Sequence, residues 1–263
     1  MHCMADSLNL KEKGYCIIPN LVSPLGIDLL KEGLEKSFKK HREIQIKNGN
    51  DIVTEGVALH ILLDDPIFLE FLEYLFTNSG LGEWLKHNYF KSPFILNSIS
   101  GLNNLSNQPN FSSIVHRDLR LYTGQIPMMI NTLVMLDDFT EDNGPTLLLP
   151  YSHLFEDKPS DEIFHRNAVK ALGKAGSVLL FNANVFHCSS LNTTDKGRMA
   201  IPITLSKSIM KQLLDYPRAL GYDKKDSFSP EMQQLLGYDA RVPANLDEWY
   251  QPADKRFYKK NQD

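Results

Sequence analysis

Ile114-Val115-His116-Arg117-Asp118-Leu119-Arg120 is the stretch on which the reading of this chain turns. His116 and Asp118 stand two apart, the side-chain repeat of a β-strand, so both leave one face of an extended segment. Val185-Phe186-His187, far along the chain, brings a second imidazole on another β-prone run. Two imidazoles and a carboxylate that meet form a facial set, covering one side of a metal ion and leaving the other positions open. That donor pattern suits non-haem Fe(II) oxygen chemistry. A competing reading makes His116 a loop histidine, Asp118 a turn cap and His187 a hydrogen-bonded core residue.

Arg198 bears on the choice. It follows an Asp195-Lys196-Gly197 turn, which predicts that its strand returns alongside that of His187. Met199, Ala200 and Ile201 after it predict burial. A guanidinium there suits a carboxylate held by two parallel hydrogen bonds, and a 2-oxo acid that chelates a metal carries such a second carboxylate. The alternative is a surface residue opening a strand.

Outward from these residues run short β-type segments: Phe94 to Ile99, Ile130 to Leu136, Thr146 to Leu149, Ser177 to Phe181 and Arg198 to Leu205. Turn residues separate them, notably Asp142-Asn143-Gly144-Pro145 and Asn182-Ala183-Asn184. This spacing predicts a β-barrel or double-sheet jelly roll. Before it, Gly14 marks a turn into a strand ending at Pro19. Ser23-Pro24 caps a helix whose apolar positions Ile27, Leu30, Leu34 and Phe38 carry it to about Arg42. Asp65-Pro66 opens a second helix, with Phe68, Leu69, Leu72 and Leu75 on its buried side, and Gly82 to Tyr89 predicts a third. Residues 44–56 and 101–113 read as loops, and Ser229-Pro230-Glu231 caps a helix through Leu236. There are no internal repeats. The expected architecture is mainly β with flanking α-helices, one domain over residues 1–263. Helical support would occupy about 1–90, a β core 91–206, and a helical and loop segment 207–263.

A chain of 263 residues with 42% hydrophobic and 23% charged residues can bury a full core. A net charge of −4 and a pI near 6.1 give no electrostatic footprint for nucleic acid. The basic runs Lys36 to Arg42 and Lys255 to Lys260 read as solvated faces. Cys3, Cys16 and Cys188 make neither a CxxC pair nor an even disulfide set, which fits a reduced, cytoplasmic setting. Met1-His2-Cys3-Met4-Ala5 has no signal-peptide pattern, and no apolar run is long enough to span a bilayer.

Several of these segments together resemble the phytanoyl-CoA dioxygenase family of Fe(II)/2-oxoglutarate oxygenases. Lys13-Gly14-Tyr15-Cys16-Ile17-Ile18-Pro19 followed by a helix looks like that family's opening segment. Leu136-Asp137-Asp138-Phe139-Thr140-Glu141-Asp142-Asn143-Gly144 and Leu149-Pro150-Tyr151-Ser152-His153 resemble its strand-and-turn signature, in which Tyr151 replaces a usual glycine. The family often has Trp where this chain has Leu133. The resemblance implies a double-stranded β-helix core, the jelly roll of cupins. It makes His116, Asp118 and His187 the iron ligands and Arg198 the 2-oxoglutarate clamp. Ser189, two past His187, matches a position that helps hold that carboxylate. Asn131 and Asn97 are candidates to hydrogen-bond the co-substrate's metal-side carboxylate. Related halogenases have Gly or Ala in place of the carboxylate ligand, so Asp118 argues against halogenation.

The implied reaction uses Fe(II), 2-oxoglutarate and O2 to oxidise, by default hydroxylate, a C–H bond of a small molecule, with specialised metabolism as the expected setting. No nucleic-acid or membrane partner is expected, and the oligomeric state stays open. The alternatives are a cupin-like metal oxygenase without 2-oxoglutarate and a non-catalytic binding protein. Of the remaining residues, His153 reads as a structural hydrogen-bonding group and Cys188 as packing that points away from the metal. Arg117 alternates outward, and Arg120 shares the ligands' face, within reach of substrate.

Overall fold

Local sequence signals set most element ends in the computed structural model, which describes residues 7–50, 55–108 and 111–256. Helix α1 (Ser7–Lys13) turns at Gly14, with φ of +87°, into strand β1 (Tyr15–Ile18). The Ser23 hydroxyl accepts from the Gly26 N–H and Pro24 opens α2 (Pro24–Lys47), with Ile27, Leu30 and Leu34 buried. The helix passes Arg42 because nothing in Glu43–Lys47 interrupts its backbone ladder. Part of the predicted 44–56 loop is therefore helical, and its residues 51–54 lie outside the described ones.

Strand β2 (Val57–Leu59) precedes α3 (Pro66–Glu73), which continues into a π-helical turn at Tyr74–Asn78. Helix α4 (Leu81–Trp84) likewise runs into a π-helical stretch, Leu85–Phe90. Strand β3 (Phe94–Asn104) takes in the start of the predicted 101–113 loop. Gly101 belongs to the strand because Leu34 packs on it: a Cβ there would stand 2.4 Å from Leu34 Cδ2. Pro109 and Asn110 fall outside the described residues.

Next come β4 (Met129–Met135), β5 (Thr146–Leu148), α5 (Asp161–Asn167), β6 (Val169–Lys170), β7 (Val178–Asn182), β8 (His187–Ser189) and β9 (Arg198–Lys207). Helices α6 (Tyr216–Leu220), α7 (Pro230–Leu236) and α8 (Leu246–Trp249) follow, with Ser229 capping α7 through the Met232 N–H. The architecture is mixed α/β. One six-stranded sheet has the order β1-β7-β4-β9-β3-β2 and a three-stranded sheet the order β6-β5-β8. Strand pairs β1–β7, β4–β7, β2–β3, β5–β6 and β5–β8 are antiparallel.

Strand β9 does not return beside β8. It lies between β4 and β3 in the larger sheet, whereas β8 pairs with β5 in the smaller one. The connection between them is tied instead to the end of β3: Asn192, fully buried, donates from its amide to the carbonyls of Asn104 and Lys196. A hairpin turn read in isolation hides that long-range tie.

The inner faces of the two sheets share a core. Leu133 and Met135 of β4, Leu179 and Phe181 of β7 and Ala200 of β9 cluster with Leu148 of β5 and with Phe139. Each large side chain buried there contributes roughly 1.5–3 kcal/mol. A second cluster of Val115, Leu149, Phe164, Phe186 and Cys188 covers the other face of the small sheet, with α5 providing Phe164. By contacts the chain divides into two compact units: one runs through Phe68 and resumes over Ile99–Ile203, the other comprises Leu69–Ser98 and the chain from Thr204. No helix among the described residues is long and apolar enough to cross a membrane.

Tyr151 occupies the left-handed region at φ +65°, its N–H donating to the Lys13 carbonyl. A side chain there carries strain that glycine avoids, which accounts for the glycine usual in the resembled motif. Replacing Tyr151→Gly is expected to stabilise the protein by roughly 0.5–1 kcal/mol, read as a higher urea midpoint at unchanged m. A lower midpoint would mean that ring packing outweighs the strain.

Candidate metal centre

Backbone pairing assembles the site. His116 N–H donates to the His187 carbonyl at 3.0 Å and His187 N–H returns the bond at 2.9 Å, so the two residues face each other in one antiparallel bridge. Their ring centroids are 4.4 Å apart. His116 forms an isolated bridge rather than part of a strand, and Asp118 sits in the bend that follows. The carboxylate still comes back to both rings: Oδ1 lies 3.4 Å from His116 Nε2 and Oδ2 3.5 Å from His187 Nε2. The three potential ligand atoms all lie within 4.8 Å of one another. Donors at right angles on an ion with bonds of about 2.1 Å stand about 3 Å apart, so this set fits a metal between them.

Both rings are held in orientation by backbone carbonyls. His116 Nδ1 stands 2.7 Å from the Ile114 carbonyl and His187 Nδ1 3.0 Å from that of Val185. A carbonyl only accepts, so each Nδ1 carries the proton and each Nε2 turns its lone pair to the shared space. Burial pushes His187 below the ordinary histidine range and keeps it neutral. The hydrogen bond to Asp118 holds His116 above that range. Burial alone would raise the Asp118 carboxyl, but His187, His116 and the Asn131 amide together bring it below the usual carboxylate range. The centre is open on one side: 34% of the His116 side chain and 36% of Asp118 remain exposed, against 9% of His187.

Asn131 donates to Asp118 Oδ2 at 2.6 Å. The residue that the sequence offered for a co-substrate carboxylate thus holds the Asp118 carboxylate in this structure. Asn97 belongs to the second unit, where its amide donates to Ser206 Oγ at 3.4 Å and the Lys211 carbonyl at 3.0 Å. Ser189 lies two past His187 on the same face and accepts from Ser112 Oγ at 3.0 Å.

Arg198 is 1% exposed, with its guanidinium 3.9 Å over the Phe139 ring. Nη2 donates to the Gly144 carbonyl at 2.8 Å, but Nε and Nη1 have no hydrogen-bond partner. Asp137, whose charge reaches it, is bonded instead to Lys31 and to the Met199 N–H. Burial pushes the guanidinium down to about 10, which leaves it charged at neutral pH. A buried cation with two unpaired donors is costly unless an anion completes it.

Other expectations resolve plainly. His153 Nε2 meets the Lys11 carbonyl at 3.2 Å, a structural contact. Cys188 packs in the cluster on the far face of the small sheet, and burial pushes its thiol up to about 11. Arg117 does leave the ligands' face but is buried rather than solvated: it lies 4.1 Å over Phe186 and donates to the carbonyls of Phe155 and Glu156, both at 3.0 Å. Sequence reading missed Asn184, which it treated as a turn residue. Its Nδ2 donates to the Leu119 and Leu121 carbonyls at 3.0 Å each, and its Oδ1 accepts from Thr123 N–H and Oγ1 at 3.2 and 3.0 Å. Those partners are remote in sequence, so no local signal marked it. A cleft of about 270 Å³ in the second unit, floored by Phe76, Phe94 and Leu235, contains none of the predicted site residues.

The phytanoyl-CoA dioxygenase (PhyH) family model matches residues 10–200. An uncharacterised protein of Mycobacterium tuberculosis is 32% identical over 265 residues, spanning 98% of this chain and 94% of its own. Dioxygenase sphC of Aspergillus fumigatus is 23% identical across 89% of this chain and 67% of its length. Dioxygenase trt7 of Aspergillus terreus is 24% identical across 94% and 88%.

Removing the Asn131 amide leaves Asp118 less well held, so Asn131→Ala should weaken Fe(II) or Mn(II) affinity by about 10–100-fold in anaerobic calorimetric titration. Unchanged affinity would show that Asp118 needs no such support. Because Asp118 raises the proton affinity of His116, metal must displace that proton. Affinity should thus fall as the pH is lowered, with the loss setting in above the ordinary histidine range.

Proposed function

This chain belongs to the phytanoyl-CoA dioxygenase family, and from that membership we propose that it is an Fe(II)- and 2-oxoglutarate-dependent dioxygenase whose iron ligands are His116, Asp118 and His187. The observation that carries the 2-oxoglutarate assignment is the pair of unpartnered, buried nitrogens on Arg198. A buried, charged guanidinium with two donors left unpaired suits an anion such as a carboxylate, which a diacid supplies beyond its chelating end. Ser189, on the face of His187, is positioned to add a hydroxyl, while Asn131 acts through Asp118.

Iron and 2-oxoglutarate, when bound, would supply O2-dependent oxidation of a substrate C–H bond, hydroxylation by default, with release of succinate and CO2. The chain's own residues do the positioning. The Ile114 and Val185 carbonyls fix the two imidazoles, Asn131 fixes the carboxylate, and Gly144 fixes one edge of Arg198 so that its other donors stay available. Phe181, edge-on to the His187 ring at 4.8 Å, and the core behind it exclude water from the buried side. Asp118 fills the position that a halide would need, which favours hydroxylation over halogenation.

We read the two sheets, joined by the core between their inner faces, as the walls of a jelly roll, with both compact units parts of one catalytic domain. The substrate is a small molecule, and the free cysteines Cys16 and Cys188 suit a reduced cytoplasmic setting.

Anaerobic protein given Fe(II) and 2-oxoglutarate is expected to develop a weak visible metal-to-ligand charge-transfer band. His116→Ala should abolish it. Arg198→Gln should raise the 2-oxoglutarate concentration needed by about 10–100-fold, as loss of charge-assisted hydrogen bonds implies. Folded protein that gives no band, or an Arg198→Gln variant with unchanged demand, would overturn the assignment.

A further inference from the structure

We infer that two buried asparagines, Asn184 and Asn192, are positioning residues for separate halves of the candidate site: Asn184 for the metal ligands, Asn192 for the carboxylate-binding Arg198. The inference rests on the oxygenase reading above and adds to it two residues that touch neither metal nor co-substrate. Their side chains are bonded in the same way. Nδ2 of Asn184 donates to the Leu119 and Leu121 carbonyls at 3.0 Å each, and its Oδ1 meets the N–H and hydroxyl of Thr123 at 3.2 and 3.0 Å. Nδ2 of Asn192 donates to the Asn104 and Lys196 carbonyls at 2.7 Å each, and its Oδ1 meets the N–H and hydroxyl of Thr194 at 3.1 and 2.6 Å. A carboxamide has two N–H donors and two acceptor lone pairs, so each side chain is used in full. At 1% and 0% exposure, neither has water at hand to replace a lost partner.

Each clamp closes on a different functional group. Asn184 stands three residues before His187 and holds the carbonyls of Leu119 and Leu121, which follow Asp118. The Leu119 N–H also donates to the Ala183 carbonyl at 3.1 Å. The limb that carries Asp118 is thus fastened to the turn that leads into His187, while Asn131 fixes the carboxylate itself. Folding orders these two limbs, so a metal need not do so on binding. Asn192 acts around Arg198. Lys196, whose carbonyl it holds, lies two residues before Arg198. Asn104, which it also holds, donates from its own Nδ2 at 3.0 Å to the Gly144 carbonyl, the group that accepts Arg198 Nη2 at 2.8 Å. Arg198 is therefore fixed through the chain that leads to it and through one edge of its guanidinium, with Nε and Nη1 left unpaired. The two clamps have no bonded partner in common, so removing one should leave the other intact.

The test uses the full-length chain and two titrations: Mn(II) into metal-free protein, followed by calorimetry, and 2-oxoglutarate into anaerobic, Fe(II)-saturated protein, followed by the visible band. Asn184→Ala is expected to weaken Mn(II) about tenfold and to leave the 2-oxoglutarate midpoint within about twofold. Asn192→Ala should do the reverse. Thr123→Val and Thr194→Val, which each take one hydroxyl from a clamp, should move the same ligand in the same direction by about threefold, and they decide the matter if an alanine variant does not fold. A variant that weakens both ligands alike, or leaves its own ligand unmoved, overturns the inference, because a merely structural amide would loosen both or neither. Wild-type protein that binds Mn(II) but gives no band strikes the 2-oxoglutarate reading and the role of Asn192 with it, while the role of Asn184 is decided by the Mn(II) titration alone. Wild-type protein without Mn(II) affinity overturns both roles.

Discussion

The reciprocal backbone bonds between His116 and His187 are the constraint on which the centre depends. Side chains alternate faces along an extended chain, so a slip of one residue would send His187 into the packed cluster and bring Cys188 to the side of His116 and Asp118. Register is secured from both edges of β8, by the bridge to His116 and by the pairing of Leu148 with His187 in β5. The apolar cluster behind Cys188 makes any slip expensive, since it would bury an imidazole among Val115, Leu149, Phe164 and Phe186.

The two sheets contribute different chemistry to one interior. The smaller sheet and its bridged neighbour supply both imidazoles. The larger sheet supplies Asn131 from β4 and Arg198 from β9. The core shared by their inner faces links these contributions, since His187 touches Phe181 and Arg198 covers Phe139, both members of that core. Hydrophobic packing thus helps to set where these polar groups stand. A buried guanidinium with two unsatisfied donors is a costly arrangement that the surrounding core holds in place.

Backbone economy shows elsewhere. Gly144 takes φ of +76° at a spot where a Cβ would stand 2.1 Å from Asn104 Nδ2, and its carbonyl accepts from both Asn104 and Arg198. Tyr151 takes a similar left-handed angle without glycine's freedom. One turn is thus tight enough to demand glycine, while the other leaves space for an exposed ring.

The sequence by itself determined the residue types that converge at the candidate centre, the caps and the buried stripes. His116, Asp118 and His187 were legible from spacing two and a distant partner. Ser23 and Ser229 announced their helices, and the apolar run after the Lys196-Gly197 turn announced the burial of Arg198. These depend on neighbours within a turn or a strand, where periodicity and capping act. Tertiary structure decided what those rules cannot reach. It put Arg198 in a different sheet from His187, tied Asn192 to Asn104, set the Asn131 amide on Asp118, and kept Asn97 among partners of the second unit. It also gave Asn184 its grip on the chain after Asp118. Each of these is a side-chain amide choosing among partners far apart in the chain, and such a choice is made only when packing has brought those partners within hydrogen-bond range.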